Sequence, residues 1–349
     1  MRVLFDLTHP ANVHLFKHLI RSLQTSGAEV VVASRDKDVT VALLDAEGIE
    51  HVCLTRRGEG WAGLAAELVL RTARLRRLAA SFEPDVLVAA EGGVSIGPVG
   101  AILRRPRVVF AQVDRARLQN RLGLPWATTI CTGTGYRLRH GSRQRRFSGF
   151  QTQAYLDPQR FHPDAEVLRR CGIRPDQPFA VVRLVEWTAA HDVGRRGPPL
   201  EGLLHAIRRL ERLGRVILSS EAPLPDALAP WRSPVPVDRL HDLLAFAGVC
   251  VAEGGTVAAE AGLLGTPAVT CNSYNFGYLD SLCELSLIRR AEGLTQAMEW
   301  ADAMRREDGL KQRWRERAAA LFASTDDVLE VMRNTIEQAA TPAGRMGRS

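Results

Sequence analysis

Val251-Ala252-Glu253-Gly254-Gly255-Thr256-Val257-Ala258-Ala259-Glu260-Ala261-Gly262-Leu263-Leu264-Gly265-Thr266-Pro267 reads as the end of a strand, a tight turn, a helix and a second stop. The paired glycines permit close backbone approach, and a helix opens at Thr256. The N–H groups of its first turn have no helical partners, and the helix dipole adds attraction for phosphate. Glu260 lies four residues after Thr256, one turn on and on the same face. A carboxylate there can accept hydrogen bonds from both hydroxyls of a ribose. Gly265-Thr266-Pro267 stops the helix and starts the next strand. The plain alternative is a strand–helix turn with a surface glutamate.

The same alternation extends outward in both directions. Around this segment, residues 179–184, 215–219, 248–252 and 268–272 read as strands, with helices over 200–213, 239–247 and 256–264. Residues 294–324 and 327–339 carry helical spacing. In the first half, residues 3–7, 29–33, 51–54, 86–89, 107–111 and 128–132 read as strands, and 13–26, 38–47, 61–82 and 94–103 as helices. Such alternation predicts parallel sheets wrapped by helices. Residues 136–178 are less regular and contain Pro158, Pro163, Pro175 and Pro178. The expected organisation is a first domain over 1–150, a connection over 151–178, a second domain over 179–340 and a frayed tail over 341–349. The fold class expected is α/β, two Rossmann-like doubly wound domains facing across a cleft. Ligands of such sheets bind at the carboxyl ends of the strands.

Composition narrows the function classes. No apolar run approaches the roughly 20 residues that span a bilayer, and Met1-Arg2-Val3-Leu4-Phe5-Asp6 starts directly into a strand-like run without signal-peptide character. The expectation is a cytoplasmic protein. The net charge is +7, yet lysine occurs only at 17, 37 and 311, so the basic character is arginine. The arginine clusters are not interleaved with the aromatic platforms of single-strand binders, and nucleic acid ranks last among partners. A generally arginine-rich surface ranks first and anionic lipid second. Helix 61–82, with Leu64, Leu68, Leu75 and Leu78 among Arg71, Arg74, Arg76 and Arg77, reads first as a sheet-covering helix and second as a membrane-surface helix. None of the six cysteines forms a C-x-x-C pair. They read as reduced, buried thiols without a structural zinc.

Other candidate residues follow strands. Arg183, at the end of the first strand of the second domain, can pair a phosphate. The loop after it offers Trp187 as an apolar face, with His191 and Asp192 as polar contacts. Ser219-Ser220-Glu221 places hydroxyls beside the same region, where helix capping explains them equally well. In the first domain, Asp6-Leu7-Thr8-His9-Pro10-Ala11-Asn12-Val13-His14 joins the first strand to the first helix without the glycines of a dinucleotide cradle. His14 is the first choice for a general base toward an acceptor hydroxyl, with His9 beside it. Glu91, in Ala90-Glu91-Gly92-Gly93, and Asp114, after Gln112-Val113, are alternative bases or helix caps.

These segments together resemble a bacterial and archaeal family of uncharacterised function, grouped with the GT-B glycosyltransferases and the non-hydrolysing UDP-N-acetylglucosamine 2-epimerases. The resemblance rests on residues 6–14, 183–192, 219–221 and 253–256 and covers roughly residues 1–290. Gly254 to Glu260 is similar to the donor-site turn and helix of the lipid-linked N-acetylglucosaminyl transferase of peptidoglycan synthesis, where the matching glutamate holds the ribose. His14 falls where several inverting GT-B enzymes put an acceptor-facing histidine. Two departures stand out. The glycine-rich first loop of the peptidoglycan enzyme is absent, and Ala258 and Ala259 stand where the epimerases carry consecutive acidic residues.

The resemblance implies a metal-independent glycosyltransferase that uses a nucleoside diphosphate sugar, UDP- or TDP-linked, as substrate and needs no cofactor. Arg183, Glu253, Gly254, Gly255, Thr256 and Glu260 would hold the donor, with Trp187, His191, Ser219 and Ser220. No Asp-x-Asp motif follows a strand of the second domain. A sugar-nucleotide 2-epimerase using Glu91, Asp114 and His191 is the alternative, followed by a non-catalytic sugar-nucleotide binding protein.

Overall fold

The computed structural model describes residues 1–184, 200–220, 223–271 and 276–341. The chain divides into two units, Met1–Tyr155 with Phe276–Tyr278 and Thr325–Ser349, and Leu156–Asn275 with Leu279–Ser324.

The first unit runs β1 (Arg2–Leu7), α1 (Pro10–Thr25), β2 (Glu29–Asp36), α2 (Thr40–Ala46), β3 (Val52–Arg56), α3 (Gly60–Phe82), β4 (Val86–Ala90), α4 (Ile96–Ile102), β5 (Arg107–Ala111), α5 (Arg117–Gly123), β6 (Thr129–Thr132) and β7 (Gln144–Arg146). All pairings are parallel, in the order β3-β2-β1-β4-β5-β6-β7. The order reverses between β1 and β4, which is the switch point of this sheet.

Side-chain alternation explains why β1 is central. Val3, Phe5 and Leu7 enter one core with Val13, Phe16 and Ile20 of α1. Leu4 enters the opposite core with Leu75 and Ala79 of α3. A strand apolar on both faces requires helices on both faces. Each such side chain, fully buried, contributes about 1.5–3 kcal/mol. Helix α1 starts on His9, whose side chain caps it, with Pro10 in the first turn.

The chain passes into the second unit within α6 (Gln153–Leu156) and continues through α7 (Ala165–Arg170), β8 (Phe179–Leu184), α8 (Leu200–Glu211), β9 (Arg215–Ser220), α9 (Leu240–Phe246), β10 (Val249–Ala252), α10 (Gly255–Leu263), β11 (Ala268–Thr270), α11 (Gly277–Glu284, whose first two residues belong to the first unit), β12 (Arg289–Arg290), α12 (Leu294–Met304) and α13 (Leu310–Ser324). Its parallel sheet has the order β12-β11-β10-β8-β9, with the switch point between β8 and β10. Both units are therefore parallel-sheet α/β structures of the Rossmann type.

Three expectations need correction. Residues 294–324 form two helices, because Gly309 adopts a left-handed φ of +69° that breaks the run between α12 and α13. Helix α14 (Val328–Ala340), expected in the second domain, packs Val328, Met332 and Ile336 into the core of the first unit. Arg71 is not a surface charge of α3 but 2% exposed. Helix α3 covers the sheet along the ridge Glu67, Arg71, Leu75 and Ala79, four residues apart. Two charges in that ridge are neutralised by the strands: Arg71 pairs with Asp6 and donates to the Ser34 carbonyl at 2.8 Å, and Glu67 pairs with Arg35. No helix among the described residues is long and apolar enough to cross a membrane.

Candidate functional site

In the second unit the strand ends at the switch point bring the expected residues together. Arg183 of β8 lies in register with Ala252 of β10 on one side and Ser219 of β9 on the other. Its Nη1 donates to Ser219 Oγ at 2.8 Å. The Glu253 N–H donates to the Arg183 carbonyl at 3.0 Å, which ties the glycine turn to β8. Gly254 is the N-cap of α10 and, as a glycine, supplies no side chain of its own to cap the helix. Thr256 is half-buried beside its first-turn N–H groups. A Cβ on Gly255 would lie 2.4 Å from Leu279 Cδ1, so Leu279 would have to shift to admit one. Ser220 ends β9, half-buried. A guanidinium, hydroxyls and a glycine helix start are the donors that a diphosphate needs.

Glu260 is not the surface glutamate of the plain alternative. It is 3% exposed, and its Oε1 is 3.3 Å from Nε2 of His241 on α9, a residue that sequence reasoning missed. A sequence cannot easily show this pairing, because the residues are brought together by helix packing. Trp187 and His191 lie outside the described residues. The thiols of Cys250 and Cys271 are each pushed up to about 12, by burial first and then by Glu260 and Glu253 respectively. Cys53 is exposed, contrary to the expectation of uniformly buried thiols. Among the described residues no three His, Cys, Asp or Glu side chains are grouped as a metal ion would need.

In the first unit the four base candidates have different settings. His14 is 9% exposed and stacks on Tyr155, with ring centroids 5.8 Å apart. His9 is exposed, and its Nδ1 accepts the Ala11 N–H at 3.2 Å. Its pKa is lowered, by desolvation first and then by Lys37, Arg35 and Arg57 against the opposing effect of Asp38. Asp114 is buried, accepts the Gly277 N–H at 3.3 Å and lies 4.0 Å from Arg137.

Glu91 sits at the carboxyl end of β4. It accepts the N–H groups of Gln112 and Val113 at 3.1 and 3.3 Å. Desolvation lifts its pKa to about 7, overcoming those two hydrogen bonds, and Asp114 adds to the rise. Its φ is +44°, followed by +85° at Gly92 and +56° at Gly93. A non-glycine residue in that region is strained, and such strain clusters at functional sites.

A model of a protein family described as of unknown function (DUF354) matches residues 1–183, more than half of the chain. The chain belongs to this family. An uncharacterized protein of Methanocaldococcus jannaschii is 24% identical to this DUF354 member over 279 residues, 77% of this chain and 81% of the relative. Among solved structures, the UDP-GlcNAc 2-epimerase from Neisseria meningitidis bound to UDP-GlcNAc is similar with a TM-score of 0.66 at 11% identity, over 97% of both chains. The spinosyn rhamnosyltransferase SpnG complexed with spinosyn aglycone is similar with a TM-score of 0.62 at 16% identity, over 96% of this chain and all of the other. Structural neighbours of this DUF354 chain are thus UDP-sugar epimerases and GT-B glycosyltransferases, and its fold is of the GT-B class.

Proposed function

We propose that this DUF354 member is a glycosyltransferase that moves a sugar from a nucleoside diphosphate sugar to an acceptor hydroxyl. The observation that carries the reading is the Arg183–Ser219 hydrogen bond beside the glycine start of α10, at the switch point of the second sheet. The acceptor O–H gives its proton to a base of the first unit, and the oxygen bonds to the anomeric carbon. The electron pair of the broken sugar–phosphate bond leaves on the diphosphate. Its added charge is met by Arg183 and the α10 N–H groups, so the reaction needs no resident cofactor. Glu260, oriented by His241, takes the ribose. Of His14, His9, Asp114 and Glu91, Glu91 is best matched to general-base work near neutral pH.

Thermal stabilisation by UDP, TDP and GDP tests the donor site. One of them is expected to raise the melting temperature of wild type and to lose most of that shift in Arg183→Ala, because a ligand that binds only the folded state stabilises it by mass action. No shift from any of the three at millimolar concentration sinks the reading.

A second reading, a sugar-nucleotide 2-epimerase, is favoured by the proximity of two carboxylates, Glu91 and Asp114, one raising the pKa of the other. It predicts conversion of UDP-N-acetylglucosamine with no acceptor present.

A further inference from the structure

The first unit carries a cavity of about 340 Å³ at the carboxyl ends of β1 and β4. That volume is within the roughly 300–1,000 Å³ of small-molecule sites. One wall is α3, through Trp61, Leu64 and Leu68, and another is α5, through Leu118 and Leu122. Trp61 is 80% exposed, Leu118 55% and Leu122 46%, so three large apolar side chains stand in water around one opening.

The charged groups of the lining are mostly spoken for. Asp6 pairs with Arg71 and Glu67 with Arg35, which leaves Glu91 outside these pairs. Each Glu91 oxygen accepts a single backbone N–H, and a carboxylate oxygen can accept a second hydrogen bond. The neighbouring cavity differs sharply. It is lined by Asp114 with Arg115, Arg117, Arg121, Arg137 and Arg143. Helix α5 separates the two chemistries, with leucines facing one cavity and arginines the other.

Backbone packing fixes this wall over Glu91. A Cβ on Gly123, the last residue of α5, would lie 1.7 Å from the Gly92 carbonyl oxygen, and one on Gly92 would lie 2.8 Å from the Gln119 carbonyl oxygen. The two backbones therefore touch with no side chain between them.

We infer that this cavity is the acceptor site, and that it takes an uncharged, largely apolar molecule bearing a hydroxyl directed at the Glu91 carboxylate. This rests on the transferase reading above and names its acceptor class. Glu91 receives the hydroxyl proton, the acceptor oxygen forms the new bond to the anomeric carbon, and the nucleoside diphosphate leaves with the electron pair.

The test titrates the protein with 2-naphthol, an uncharged aromatic alcohol, by fluorescence, alongside the UDP thermal shift. Saturable binding is expected in wild type, weakened about tenfold or more in Leu118→Glu/Leu122→Glu. Trp61→Ala, at a side chain already in water, is the second variant and should weaken binding in the same direction. Excited 2-naphthol gives its proton to an adjacent carboxylate. At about pH 8, above the Glu91 value of about 7, wild type should therefore show more naphtholate emission than Glu91→Gln. Equal affinity across wild type and the wall variants overturns the inference, as does equal naphtholate emission with and without the Glu91 carboxylate. A protein that takes UDP but no 2-naphthol overturns it while leaving the transferase reading intact. Cavity binding of 2-naphthol without any nucleotide shift upholds the apolar site and removes the donor reading instead.

Discussion

Glu91 and Arg71 show how single residues couple stability to the candidate site. Burial lifts Glu91 from 4.5 to about 7. Between those values the unfolded chain has lost the proton that the folded chain keeps. The group's contribution to stability is full below about 4.5 and is lost as pH rises through about 7. Wild type should therefore lose melting temperature across that window, and Glu91→Gln should lose less, as pH-dependent thermal melts will show. Arg71 and Asp6 are each 2% exposed, and truncating one strands the other's charge. Arg71→Met should cost about 3–5 kcal/mol in urea unfolding. The sequence offered part of this. The four-residue spacing of Glu67, Arg71, Leu75 and Ala79 was visible, but the residue answering Arg71 lies 65 positions away. Local pattern cannot locate such a partner, so Arg71 read as surface. Glu91 was legible as a strand-end acid, but the packing of α5 backbone on the following Gly92 was not.

At the scale of elements, the close pass between α5 and the turn after β4 is the sensitive joint. Gly123→Ala places a methyl group where the Gly92 carbonyl already stands. An overpacked contact of this kind costs about 1–3 kcal/mol, and more when backbone must move. The expected outcome is lowered urea stability with α5 displaced from Glu91, seen as weaker 2-naphthol binding. Helix α5 itself was not legible, because Arg117–Gly123 has only seven residues and is rich in arginine. Strands β7 and β12, Gln-Arg-Arg and Arg-Arg, were missed for a related reason: each pairs with one neighbour only, and backbone hydrogen bonds carry no side-chain signature. The central strands β1, β4, β5, β8 and β10 were readable because both faces are buried, which forces continuous apolar runs. The donor turn was readable too, since strand end, glycines and helix start are adjacent in the chain.

For the whole molecule, the division of the chain is the part that sequence reading placed differently. Residues after Ser324 return to the first unit, where Met332 and Ile336 are fully buried against α1 and the sheet. Met332→Asp/Ile336→Asp should therefore unfold the first unit, detected as loss of the 2-naphthol site, while UDP binding by the second unit persists. The amphipathic spacing of residues 327–339 announced a helix but not which sheet it covers, since either would accept an apolar stripe. The return of α14 also bears on how the protein is made. A ribosome delivers all of β1 to β7 long before it delivers the helix that closes one face of their sheet. Until residue 340 has emerged, the nascent first unit exposes the surface that Met332 and Ile336 will cover, and it must wait for the second unit to be synthesised. Exchange of halves between relatives by a single cut near residue 155 would separate that sheet from its own lid, so recombination in this family is expected to preserve both ends of the gene together.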